Sequence, residues 1–294
     1  MPELPEVEIA AEKLRRWCVG HRITQVRAQP GTPLRDVTPK RLATGLSGHR
    51  VTSVDRRGKQ LFVRLEGDLV LLLHLGMTGR LADLESEPSD RAPRLELVLD
   101  QKRRIGFIDP RRFGRVRLLS SAAAERHPEV KKLGPDALEI ARVRDGLARC
   151  LAGTRLPIKV ALMDQHRLAG VGNIYASEAL FEARIHPDTP AATLAPAVLA
   201  KLGRALERVM RRTLARARRV GRIKYLHEGA ENKFRVYGRA GEPCPRCHTE
   251  IERMAHGGRG TFYCPRCQPR PITSRGLSRG GPQRSRSRGA GGSK

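Results

Sequence analysis

Apolar side chains recur at three- and four-residue steps at Leu4, Val7, Ala11, Leu14 and Trp17, which predicts an amphipathic helix. Glu3, Glu6 and Glu8 crowd its first turns, where the helix dipole favours negative charge. From about residue 50 to 119 the period shortens to that of strands. Leu61, Val63 and Leu65 alternate, as do Leu95, Leu97 and Leu99, and Val70 to Leu75 is a continuous run of the buried type. The Gly, Pro and Asp residues between these runs suit tight β connections, so the stretch reads as a β-sandwich or barrel-like domain behind the helix. Residues 120–135 read as a linker. Helical spacing then returns, predicting short helices near 157–165 and 173–185 and a longer one from about 195 to 219. Val198, Leu202, Leu206, Val209 and Thr213 lie on one side of the long helix.

Charge changes the picture next. The 294 residues carry 57 Lys and Arg against 30 Asp and Glu, a net charge of +27 that points to a polyanionic partner, nucleic acid first among them. Aromatic residues at 4% are too few for a platform that stacks single-stranded bases. Nine Lys or Arg between Lys201 and Arg222, with Glu207 the only acid, read as a solvated helix face. Residues 268–294 hold seven basic residues, no acid and no apolar periodicity, the composition of a disordered tail. The acidic start is no signal peptide, and the run Leu69 to Leu73 is too short to span a bilayer, so a cytoplasmic, membrane-free protein is expected.

Cys244-Pro-Arg-Cys247 and Cys264-Pro-Arg-Cys267 are identical knuckles separated by sixteen residues. That spacing fits four thiolates around one tetrahedral zinc, a structural site because no coordination position stays open for water. The competing reading, two disulfides, requires an oxidising compartment. Ile251 to Met254 and Thr261 to Tyr263 read as strands joined through residues 257–260. Cys18 and Cys150 read as small buried hydrophobes.

Removal of Met1 would expose Pro2 as a free secondary amine. An α-amino group titrates roughly two units below lysine, so an appreciable fraction is neutral near pH 7 and able to form an iminium with a sugar carbon. Glu3 beside it is a candidate for moving protons. On the dipeptide alone, Pro2 equally suits a first helical turn.

The chain also carries, in order, Met1-Pro-Glu-Leu-Pro-Glu-Val-Glu8, Arg57-Gly-Lys59, His74-Leu-Gly-Met-Thr-Gly79, Asp109-Pro-Arg-Arg-Phe-Gly114, Leu162-Met-Asp164, Gly170-Val-Gly-Asn-Ile-Tyr-Ala-Ser-Glu178, Val236-Tyr-Gly-Arg239 and the two knuckles. Over residues 1–267 this set closely resembles the formamidopyrimidine-DNA glycosylases, bifunctional base-excision enzymes. The resemblance implies an α+β multidomain fold: an N-terminal helix with a β-sandwich (1–134), a helical helix-two-turns-helix domain (135–235) and a C-terminal zinc-ribbon hairpin (236–268), followed by a disordered basic tail (269–294). It implies one structural zinc per chain, bound by Cys244, Cys247, Cys264 and Cys267, and a monomer acting on damaged double-stranded DNA at a bacterial nucleoid.

By the same resemblance Pro2 is the nucleophile at the sugar C1′ and Glu3 the general acid/base. Lys59 is the proton donor in β-elimination and a phosphate contact, and Arg259 serves phosphate binding and δ-elimination. Met77, Arg111 and Phe113 match residues that enter the duplex where the damaged nucleotide leaves; on spacing alone, Met77 and Phe113 also suit a core. Lys159 and Asn173 match phosphate contacts, Asn173 as the cap of a helix whose N–H groups suit a phosphate. Arg91 and Arg94 stand where the family often has histidines, so that contact is either taken over by arginine or absent. The stretch 219–233 departs from the loop linked to 8-oxoguanine recognition. The implied function is removal of 8-oxoguanine and formamidopyrimidines through a proline Schiff base with β,δ-elimination. The alternatives are an endonuclease VIII-like preference for oxidised pyrimidines, which Leu4 disfavours, and a non-catalytic zinc DNA-binding protein.

Overall fold

The structure, a computed structural model, describes residues 2–29, 34–87, 89–143, 145–220 and 234–271. The expectations for 221–233 and for the tail beyond residue 271 lie outside the described residues.

Helix α1 (Leu4–Cys18) is followed by strand β1 (Ile23–Ala28), helix α2 (Pro39–Leu46) and strands β2 (Val51–Arg57), β3 (Gln60–Leu65), β4 (Leu69–His74), β5 (Arg80–Asp83), β6 (Leu95–Leu99), β7 (Arg104–Ile108) and β8 (Arg115–Ser120). Two four-stranded antiparallel sheets, ordered β1-β6-β7-β5 and β2-β3-β4-β8, share one core between them. The sandwich starts earlier than the alternation indicates. A register shift between Ile23 and Gln25 breaks the period of two in β1, so that strand buries Ile23 and Val26 three residues apart.

Residues 120–135 are not a linker. They fold into α3 (Ser121–Arg126) and α4 (Pro128–Lys131). The outer face of the second sheet carries Phe62, Val70 and Leu72, and Ala124 and Val130 of these helices cover it. Because both faces of β4 are covered, its sequence is continuously apolar rather than alternating.

Helices α5 (Gly146–Cys150), α6 (Ile158–Met163), α7 (Asn173–Ala183) and α8 (Pro196–Val220) build a second core around fully buried Tyr175, Leu180, Leu202 and Leu206. Helix α1 serves both cores. Leu4 and Ile9 face the helical domain, whereas Val7, Leu14 and Trp17 face the sandwich. Each fully buried leucine contributes about 1.5–3 kcal/mol, so the seam is held from both sides and the start of the chain is fixed within it.

Strands β9 (Glu252–His256) and β10 (Arg259–Tyr263) form the C-terminal hairpin through a two-residue turn, Gly257-Gly258, both at positive φ. The turn is thus tighter than 257–260, and Arg259 opens β10. The hairpin docks on α7 through Phe181, Val236, Ile251, Cys244 and Cys264, with the Arg246 guanidinium 4.3 Å over the Phe181 ring. Glu178 of α7 accepts the N–H groups of Arg235, Val236 and Tyr237, each at 2.9 Å. Packing continues past Cys267: Gln268 is fully buried and donates to the Ile185 carbonyl at 2.8 Å. Cys18 is buried as expected, but Cys150 is only half-buried.

Candidate active site

Glu3 ends the extended backbone before α1 and forms a capping box with Glu6 there, but its carboxylate also reaches beyond that helix. It accepts the N–H groups of Gly172 at 2.8 Å, Ile174 at 2.8 Å and Tyr175 at 3.2 Å, so it caps α7 of the other domain. The residue before α7 is Gly172 for a steric reason, since a Cβ there would fall 2.4 Å from the Glu3 carboxyl carbon. Asn173 is therefore the first helical residue rather than the cap, and most of the first-turn donors expected for a phosphate already belong to Glu3. The Leu4 N–H donates to the Gly170 carbonyl at 3.1 Å, which clamps Pro2-Glu3-Leu4 against the glycine-rich turn. Pro2 is buried beside this clamp.

Sequence reasoning missed the group beneath Glu3. Glu6 is buried, accepts the Glu3 N–H at 2.9 Å and receives the Tyr175 hydroxyl at 2.7 Å. Burial, reinforced by the Glu3 charge, raises its pKa to about 7. Its spacing of three from Glu3 is that of a capping box, a signal present in the sequence.

Three cations converge on the same place. Lys59 stands on the turn between β2 and β3, fixed by Asp136, which accepts the Gly58 N–H at 3.1 Å and an Arg56 N–H at 2.6 Å. Burial holds the Lys59 ammonium below its ordinary pKa; Glu3 opposes that shift and Arg259 adds to it. Lys159 is fully buried and its pKa falls to about 8 by burial, with Glu3 and Arg259 again acting on it. Its ammonium donates to Asn173 Oδ1 at 2.5 Å and Thr261 Oγ1 at 2.6 Å, tying α6, α7 and the hairpin together. Asn173 in turn donates to the Gly260 carbonyl at 2.9 Å. Arg259 is exposed, its guanidinium 3.9 Å from Met163 Sδ. Pro2, Glu3, Lys59 and Arg259 thus come from three separate parts of the fold to one electropositive place.

A second group lies on exposed loops of the sandwich. Met77 and Phe113 are 39% and 48% exposed, so neither is a core residue. Their loops touch at Gly76, where a Cβ would fall 2.4 Å from the Phe113 carbonyl carbon. Arg111 lies 4.9 Å over the Phe113 ring. Asp109 braces the loop, accepting from the Thr78 hydroxyl at 2.8 Å and the Gly114 N–H at 2.7 Å. Arg94 is half-buried and donates to Gln29 at 3.0 Å and the Asp109 carbonyl at 3.4 Å, bracing the same loop, whereas Arg91 is exposed.

The four knuckle sulfurs lie within 4.8 Å of one another. Backbone N–H groups point at them, from Arg246 to Cys244 and from Cys267 to Cys264, each at 3.4 Å. Thiolates so grouped, with N–H donors to spread their charge, fit one structural zinc.

Comparison with known proteins agrees with the three-part fold and the zinc site. The family described as formamidopyrimidine-DNA glycosylase N-terminal domain matches residues 1–116, the formamidopyrimidine-DNA glycosylase H2TH domain matches 133–223, and the zinc finger found in FPG and IleRS matches 241–270. Formamidopyrimidine-DNA glycosylase of Chloroflexus aurantiacus is 40% identical over 91% of this chain and 98% of its own. The chain belongs to the formamidopyrimidine-DNA glycosylase family. Among solved structures, the Fpg protein of Thermus thermophilus superposes with a TM-score of 0.77 at 39% identity, covering 91% of this chain and 98% of that one. Lactococcus lactis Fpg in complex with FAPY-dG-containing DNA gives 0.76 at 30% identity, covering 91% and 100%. Among the described residues of this Fpg-family chain, no helix is long and apolar enough to cross a membrane.

Proposed function

We propose that this chain excises oxidised purines from damaged duplex DNA, at the nucleoid, through a Schiff base on Pro2. The observation that carries this is the convergence of Pro2, Glu3, Lys59 and Arg259 on a seam between two domains, with exposed Met77 and Phe113 on neighbouring loops of the sandwich. A flipped nucleotide costs a few kcal/mol of stacking and pairing, and apolar side chains inserted in its place offset part of that. The uncharged Pro2 nitrogen, freed by removal of Met1, attacks C1′; the glycosidic bond breaks and its electron pair leaves with the base. Glu3 takes up the proton that the attacking Pro2 nitrogen loses and delivers it to O4′ as the ring opens, giving an iminium between Pro2 and C1′. Loss of a C2′ proton turns this iminium into an uncharged enamine, whose electrons expel the 3′ phosphate and leave a conjugated iminium on Pro2, a step that Lys59 assists. Loss of a further sugar proton expels the 5′ phosphate, its charge met by Arg259, and water releases the sugar fragment from Pro2. Asn173 and Arg91 serve as outer phosphate contacts. Lys159 and Arg94 act one step removed, holding Asn173 and the Phe113 loop in place.

The test is borohydride trapping on duplexes carrying one 8-oxoguanine, with an oxidised-pyrimidine duplex in parallel. Wild-type protein traps preferentially on the purine lesion. Pro2→Gly, or a terminus that keeps Met1, loses trapping while retaining most of the duplex binding, because affinity comes mainly from phosphate contacts. Trapping at wild-type yield by the blocked protein would refute the mechanism. Preference for the pyrimidine duplex would move the chain to the second substrate class, which Leu4 disfavours and the departure of residues 219–233 from the family pattern leaves open.

A further inference from the structure

His256 and Asp188 have no part in the reading above, yet they close a ring of hydrogen bonds around the base of the Arg259 turn, buried except at the half-exposed Asp188 carboxylate. His256 ends β9 and is 7% exposed. Its Nε2 bonds the Asp188 carboxylate, and its Nδ1 lies 3.0 Å from Thr261 Oγ1. Thr261 is fully buried and accepts from Lys159 Nζ at 2.6 Å. The ring closes through backbone: the Lys159 N–H donates to the Pro187 carbonyl at 3.3 Å and the Ile158 N–H to the Thr189 carbonyl at 2.8 Å, so the residues on either side of Asp188 hold the start of α6.

Donor arithmetic gives the ring a direction. An ammonium only donates, so Thr261 Oγ1 accepts from Lys159 and has one proton to give. That proton points to His256 Nδ1, which leaves Nε2–H to face Asp188. Every polar atom on the path is thereby paired, and removal of any one strands a buried partner.

Arg259 lies between the two anchored residues, three after His256 and two before Thr261. The turn of Gly257 and Gly258 supplies no stiffness of its own. We infer that His256, oriented by Asp188, is a positioning residue that sets where Arg259 stands relative to Lys59 and Glu3. It thereby governs the second elimination rather than Schiff-base formation. This rests on the role proposed above for Arg259.

The experiment compares zinc-loaded full-length wild type, His256→Ala, Asp188→Ala and Asp188→Asn. Asp188 is distant from the hairpin in sequence, so its variants leave the zinc module intact even where His256→Ala fails to fold. Two readouts are taken: the ratio of δ- to β-elimination product in single turnover, and hydrogen exchange at residues 257–261 without DNA. Misplacement of about 1 Å costs up to a hundredfold, so both alanine variants are expected to lower the product ratio on the order of tenfold or more while trapping persists. Asp188→Asn, which still accepts from Nε2, restores the ratio, and both alanine variants speed exchange at 257–261. An unchanged ratio and unchanged exchange in Asp188→Ala would overturn the inference, as would equal loss of trapping and δ-product. If wild type failed to trap at all, the proposed function would fall, and the exchange measurement would still decide whether His256 and Asp188 hold the turn.

Discussion

At Glu6 two demands collide. The site needs an acceptor for the Glu3 amide and the Tyr175 hydroxyl, and the same burial that supplies them penalises a charge. The folded carboxyl keeps its proton to about pH 7, whereas the ordinary value is 4.5. Between those values the native state binds more protons than the unfolded chain, so stability falls as pH rises through this window. The contribution is fully present below about pH 4.5 and is lost above about 7, on the order of 3 kcal/mol. Glu6→Gln keeps the oxygen acceptor and removes the titration, so its unfolding free energy should vary less between pH 5 and 8 than that of wild type. Urea titrations at several pH values measure this; parallel pH profiles for the two proteins would refute it. The three-residue step from Glu3 to Glu6 was visible in the sequence. What was not visible is that the Glu3 carboxylate crosses to α7, because nothing in local spacing encodes a partner about 170 residues away.

Elements with strong internal periodicity were legible: α1, the long α8, and the hairpin between the knuckles. Errors arose where a neighbouring element decides the outcome. α3 and α4 are too short to declare themselves and exist because the sheet has an apolar outer face to cover. Asn173 looked like a cap until a carboxylate from another domain took that role. The hairpin makes a testable case of such dependence, since its strands carry few buried side chains and its core consists largely of Cys244, Cys264, Val236 and Ile251 against Phe181. A four-thiolate zinc site supplies on the order of 10 kcal/mol of apparent binding energy linked to folding. Chelation, or Cys264→Ser, should therefore release the hairpin, withdraw Arg259 and Thr261 from the site and weaken duplex binding. Metal content measured alongside binding titrations checks this. Metal-free protein with wild-type affinity would show that the hairpin holds without its zinc.

Across the whole molecule, the net charge of +27 is spread over the folded part and the tail alike. Much of the exposed basic face of α8 is already paired within the chain: Arg211 with Glu207, Arg212 with Glu182 and Arg218 with Glu12. Pairs of this kind add little stability but reduce what the face offers to phosphate. The tail is different in composition, since residues 272–294 carry six Lys or Arg and no acid. Burial of Gln268 shows where to cut: truncation after residue 267 would remove a packed side chain, whereas truncation after 271 keeps it and removes six Lys or Arg. Counterion release makes each phosphate neutralised worth a log–log salt slope of roughly 0.9. Deleting 272–294 should therefore weaken binding to undamaged duplex at low salt and flatten its salt dependence. The single-turnover rate at saturating protein should stay the same, because Pro2, Glu3, Lys59 and Arg259 all remain. Binding titrations at several salt concentrations, run beside saturated cleavage of the lesion, separate the two effects. A large fall in the saturated rate with an unchanged salt slope would assign the tail a direct role at the lesion, which its charge alone does not provide.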